Sequence, residues 1–256
     1  MDHFFGKDFD GPAFQLFSLQ HLAAIAVLLL LIGYFFWLRK HPSEKAEKAT
    51  RWTMASLLIV NEFGWHMWNL VNGTWTVQTM LPLHLCSVFV FLSAIMLVTR
   101  SYGIFEFAFF LGIAGAMQAF LTPDLGIYSF PHFRYFQVFV SHGLIIASAL
   151  YMLIVEHMRP TWKSLLKVVI VGNLYYVALF FLNRALGSNY MFTSHKPETA
   201  SLLDALGPWP WYLLVIEGMA AVVFLLFYAP FAISDSVKKR QNRLAIEAAA
   251  RHEPSR

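Results

Sequence analysis

The sequence predicts an all-helical protein built into a membrane as a seven-helix transmembrane bundle, with the N-terminus outside and the C-terminus in the cytoplasm. Three observations predict it. Of 256 residues, 58% are hydrophobic and only 13% charged, more apolar surface than a soluble globule of this size can bury. Seven runs reach the roughly 17–25 apolar residues that a span needs, at 18–38, 52–72, 81–99, 104–121, 135–156, 163–183 and 210–232. Finally, the N-out arrangement puts all but Lys7, Arg134, Arg184 and Lys196 of the 19 Lys and Arg on the cytoplasmic side, as the positive-inside rule asks.

The elements follow in order. Residues 1–17 lack the basic start of a cleavable signal and read as an extracytoplasmic segment; the first span, followed by Arg39 and Lys40, stays as an anchor. In the third, Pro82 suits the first helical turn. Small residues four apart, Gly112 with Ala116 and Gly115 with Ala119 in the fourth span and Gly143 with Ala147 in the fifth, predict close helix packing. The connection from Arg184 to Trp209 is long for a plain link and reads as a lid or a re-entrant segment. "GPWPWY" then forms an outer aromatic belt, and Pro208 and Pro210 keep the last span from extending backwards. The transmembrane domain is expected over 18–232 and a basic cytoplasmic tail, solvated or lying on the membrane surface, over 233–256. With the basic residues clustered at 39–51 and 238–256, the net charge of +4 points to a bilayer partner and away from nucleic acid.

Polar groups inside spans are costly and usually face the interior or a wet cavity. At about 1.5 Å per residue, Cys86, His66, Glu62, His142 and Glu217 all fall in the outer halves of their spans, joined by Gln118, Gln137, Ser141 and Asn69. The inner halves are nearly all apolar, apart from groups such as Asn173 and Lys167. A blind cavity open to the outer side fits this distribution better than a channel, which needs polar lining at both ends.

Cys86, the single cysteine, is either inert packing or a nucleophile. In a helix, residues two apart point about 200° from each other, so His84 is a poor base for Cys86; the depth count offers His142 and His66 instead. Glu62 and His66, four apart on one helix face, can pair as a structural contact, an oriented base or half of a metal site. His84 suits a headgroup contact, an oxyanion or a helix–helix hydrogen bond equally well. Above this outer band of polar groups lie Asp124, His132 and Arg134, and the Arg134 guanidinium can hold a phosphate bidentately or act as an interfacial anchor.

"LPLHLCS", "LTPDL" with "FPHFRYFQVFVSHG", and "GSNYMF" with "KPETASLLDALGPWPWY" resemble the bacterial YwaF-like integral membrane proteins, relatives of eukaryotic transmembrane protein 164, over most of the chain. That eukaryotic relative is an acyltransferase of ether phospholipids with a membrane-embedded cysteine and histidine, and a more distant likeness leads to membrane hydrolases of fatty-acid esters. The resemblance implies a cell-membrane acyltransferase or lipid hydrolase acting on a phospholipid or acyl-lipid substrate, with Cys86 as nucleophile and His142 as base. Independently of the resemblance, the depth and chemistry of the polar groups lead us to expect His66, Glu62, His84, Arg134, Gln137 and Glu217 to line the substrate site.

A permease of small molecules, using the outer cavity for alternating access, is the competing reading. A retinal photoreceptor is excluded, since residues 210–232 contain no lysine. His66, His84, His142 and Glu62 are suitable metal ligands, but no H-E-x-x-H spacing supports a site, and neither metal nor cofactor is expected.

Overall fold

The computed structural model of the protein describes residues 2–197 and 202–252; part of the long connection (198–201) and the end of the tail (253–256) lie outside the described residues. Seven long helices carry the chain: α1 (Leu19–Lys40), α2 (Glu44–Val71), α3 (Leu85–Thr99), α4 (Tyr102–Leu121), α5 (Phe133–Ile154), α6 (Trp162–Leu186) and α7 (Trp211–His252). Single turns at Asp2–Phe5, Tyr190–Phe192 and Leu202–Leu206 complete the described residues, which contain no strand. The starts are conventionally capped: Ser18, Ser43, Ser101 and Thr161 each accept a backbone N–H of the first turn, which satisfies one otherwise orphaned donor.

Every predicted run meets a helix, yet only α1, α4, α5, α6 and α7 are long and apolar enough to cross a membrane by themselves. The protein is thus a multi-pass membrane protein, but length and composition do not carry the count of seven. α2 opens on the charged stretch "EKAEKATR". α3 has 15 residues, fewer than the roughly 20 that cross the hydrocarbon core. Its shortness corrects an expectation: Leu81 to His84 form turns, so Pro82 precedes the helix and does not sit inside its first turn.

α5 is the central element, packed against α1, α2, α3 and α4, and 78% of its most apolar window is buried, against 17% for α1 and α6 and 11% for α7. Small side chains permit that position. A Cβ at Gly143 would stand 3.1 Å from the Phe120 ring, and one at Gly112 would stand 3.2 Å from Phe89, so bare backbone is what lets these rings approach. α4 widens to a π-turn over Ala108–Gly112, beside that contact.

The two ends of the bundle differ. At one, Glu156 lies between Arg51 (3.4 Å) and Arg100 (3.7 Å), Arg159 meets Asp235 at 3.0 Å, and Lys167 of α6 pairs with the buried Glu106 of α4. At the other, residues 2–17 form a strap fixed by side chains: Trp68 Nε1 donates to Phe5 O (2.7 Å), Tyr128 to Lys7 O (2.8 Å), Ser129 to Pro12 O (2.5 Å), and His132 Nε2 to Gly6 O (2.9 Å).

Candidate functional site

At the strap end, the late start of α3 sets the position of Cys86. His84 is the N-cap residue, extended at φ −67° and ψ 147°, and makes no side-chain cap. The first-turn N–H groups therefore lack intrahelical partners; that of Leu85 turns to the Met191 thioether at 3.1 Å. Cys86 is the second residue of the helix, so its thiol stands where the helix dipole is most positive. Sequence counting from residue 81 had placed it a turn deeper.

The thiol is free and half-buried. It lies against Gly115, where a Cβ would sit 3.9 Å from Sγ, and the Glu62 carboxylate is within electrostatic range. Glu62 is 3% exposed and has two partners: the Ser87 hydroxyl, one residue beyond the thiol, and the His66 ring, with Nε2 3.7 Å from Oε1. Trp75 fixes the tautomer of that ring. Its indole N–H can only donate, and it reaches His66 Nδ1 at 3.0 Å, so the His66 proton is on Nε2, facing the carboxylate.

His142 carries the opposite tautomer. Its Nδ1 lies 2.8 Å from Val138 O; a carbonyl can only accept, so Nδ1 holds the proton and Nε2 presents a lone pair. Neither His142 nor His66 is hydrogen-bonded to the Cys86 thiol. Arg134 connects the groups electrostatically: it is within range of Glu62, His142 and Asp124, donates to Gln137 Oε1 at 2.5 Å, and stacks 4.1 Å above the Trp65 ring.

Two of the expected lining residues make their contacts elsewhere. His84 Nδ1 accepts the Met191 N–H at 3.3 Å, and the ring packs on Tyr190 and Phe192, so it anchors the loop after α6. Glu217 accepts from Asn173 at 2.7 Å across the exposed seam of α6 and α7.

The loop over the start of α3 was invisible as a site component in the sequence. Met191 and Phe192 hold positive φ (56° and 54°), which is uncommon and strained for such side chains. Tyr190 holds the turn down through its hydroxyl, donating to Val77 O and accepting from Leu81 N–H. Asn183, 1% exposed, donates to Tyr190 O and Thr193 Oγ1 and accepts from Tyr190 N–H and Ser188. An amide within an apolar span was the available signal; Met191 offered none.

His132, which caps α5 from outside the span, is held neutral: Nε2 donates to Gly6 and Nδ1 accepts the Arg134 N–H. Burial under the strap lowers its pKa from the ordinary imidazole value. Among the described residues no group of three His, Cys, Asp or Glu has an arrangement that could hold a metal ion. What the cluster offers is a thiol at a helix N-terminus, an imidazole lone pair, an oriented carboxylate and a guanidinium, the components of nucleophilic acyl chemistry at a charged substrate.

The model of the TMEM164 family matches residues 16–228. An uncharacterised protein of Treponema pallidum (strain Nichols) is 27% identical over 226 residues, covering 87% of this chain and 92% of its own length. No solved structure matches.

Proposed function

The chain belongs to the TMEM164 family, and on that premise we propose that it transfers or hydrolyses acyl groups of a phospholipid or fatty-acyl ester through Cys86 and His142, in the cell membrane. The carrying observation is the position of Cys86 in the uncapped first turn of α3, against Gly115. Sγ attacks the ester carbonyl carbon, the C–S bond forms, and His142 Nε2 takes the thiol proton. Unpartnered N–H groups of the α3 first turn suit the developing oxyanion. Collapse breaks the C–O bond, and the imidazolium returns the proton to the leaving alcohol oxygen. A second alcohol or water then releases the acyl group from the thioester.

Arg134 supplies a cation for the substrate phosphate, and Gln137 and the stack on Trp65 orient it. Glu62, set by Ser87 and by the His66 proton, acts as a positioning residue. All seven helices are read as spanning, since α2 and α3 also present exposed apolar faces, Val60 and Phe63 on α2 and Ile95 on α3. The strap end then faces outward and the basic end the cytoplasm, which agrees with the distribution of Lys and Arg.

Incubating the detergent-purified protein with acyl-labelled phospholipid is expected to leave a thioester on its single cysteine, detected by intact mass. Cys86→Ala should remove the adduct and lower turnover at least about 10³-fold, and His142→Ala should slow adduct formation by a comparable factor. Lipid turnover that survives Cys86→Ala sinks the proposal, and substrate uptake without an adduct favours a permease.

A further inference from the structure

At the basic end, on the opposite side of the bundle from Cys86, α1, α5 and α7 enclose a groove of about 380 Å³. Phe36 of α1, Leu153 and Ile154 of α5 and Phe231 of α7 make its wall apolar, while Arg39, His157 and Arg159 bring basic side chains to the same lining. Arg159 is engaged, with Asp235 at 3.0 Å and the Phe231 ring 5.5 Å from its guanidinium. Arg39 and His157 are exposed and have neither a hydrogen-bond nor an ion-pair partner among the described residues.

The backbone at His157 adds an independent observation. α5 ends at Ile154, and the chain reverses through His157 at φ 56°, with Met158 N–H bonded to Met152 O at 3.0 Å. That is the left-handed position of a helix C-terminal motif, which glycine occupies at least cost and where a side chain is disfavoured. An imidazole held there makes no bond to the protein, yet it lines the groove.

We propose that this groove binds one anionic phospholipid, with its phosphodiester oxygens accepting from the Arg39 guanidinium and the His157 ring N–H and its upper acyl segment lying along Phe36, Leu153 and Phe231. Charge complementarity selects this occupant: the free cation and the free ring donor sit above an apolar wall, the groove's lining holds no carboxylate among the described residues, and Asp235 is taken up by Arg159. Basic pockets between helices at a membrane surface have this chemistry, and each surface cation contributes about fivefold in affinity for acidic lipid. The proposal does not depend on acyl transfer at Cys86.

The test is native mass spectrometry of the full chain in detergent, titrated with phosphatidylglycerol or phosphatidylcholine of matched chains. The unaltered protein is expected to retain one phosphatidylglycerol in preference to phosphatidylcholine. Arg39→Gln and His157→Gly should each lower that preference about two- to fivefold. Neither breaks a bond within the protein, and His157→Gly relieves the backbone, so its melting temperature should hold or rise. A triple change of Lys238, Lys239 and Arg240 to Gln is expected to leave the single bound lipid in place. Equal retention of both lipids, a preference unmoved by Arg39→Gln and His157→Gly, or one lost only with the tail lysines overturns the proposal. Competition by soluble glycerol 3-phosphate as strong as that by the lipid also overturns it, since the apolar wall would then contribute nothing.

Discussion

The two ends of this bundle handle polar groups in opposite ways. At the basic end, charges from different helices pair with each other, as with Glu156 between Arg51 and Arg100, and several of the partners are exposed, Arg100 at 58%. At the strap end, buried groups are satisfied through two irregular segments laid across the helix ends: the N-terminal strap and the turn at Tyr190–Phe192. The difference is instructive. Charges near water need little geometry, whereas desolvated amides and imidazoles need every partner in place. The strap end therefore specifies side-chain orientation through irregular backbone, whereas the basic end joins helices through ion pairs, some exposed and some, as at Glu106 and Arg51, largely buried.

Breaking the strap end at its most connected residue should have the largest effect. Asn183→Ala removes four hydrogen bonds from a side chain 1% exposed and should destabilise by about 3 kcal/mol or more. Its expected signature is a lower melting temperature in detergent and faster proteolysis near residues 188–197. Next comes the packing that supports the site: Gly143→Ala forces the Phe120 ring to move, at a cost of about 1–2 kcal/mol. Gly33→Ala, where a Cβ meets nothing within 4 Å, should stabilise by up to about 1 kcal/mol through helix propensity. If the two glycine substitutions shift the melting temperature equally, the claim that α5 is centrally packed fails.

A smaller effect concerns pH. His132 binds the strap only as the neutral tautomer, and its folded pKa is lowered, chiefly by desolvation. Its contribution is therefore complete above the unfolded value of about 6.5 and is lost as pH falls through the lower folded value. Amide exchange over residues 4–12 should rise on acidification and become pH-independent, beyond the intrinsic rate, in His132→Asn, which keeps a capping side chain. At the basic end, Arg100→Gln should cost only a few tenths of a kcal/mol and still less in high salt, because solvent screens so exposed a pair. A loss as large as that of Asn183→Ala would erase the contrast between the ends.

Much of this was legible beforehand. Hydropathy located all seven helices, and small residues four apart marked the Gly112 and Gly143 contacts, because these signals are local. The Glu62–His66 pair was legible for the same reason, being one helical turn. Other features were not. The period of an apolar helix does not tell lipid from protein, so α5 and α7 read alike although their most apolar windows are 78% and 11% buried. Glu217 shares a depth with the cluster but points along the seam to Asn173, since depth fixes height and not azimuth. The pairing of Glu106 with Lys167 leaves no local trace either, since the two lie 61 residues apart on different helices.

By itself, then, the sequence determined an all-helical membrane protein, its family, and the residue types able to carry acyl chemistry, since composition, periodicity and motif are properties of the chain. Tertiary structure decided where α3 begins, and so that Cys86 occupies a helix N-terminus. It also decided which nitrogen of His66 and of His142 carries the proton, and that His84 holds the loop at Met191. Each of these depends on a partner distant in the chain or on backbone geometry, Met191 for His84 and the turns before Leu85 for Cys86, and hydrogen bonding to such partners has no periodic trace in sequence.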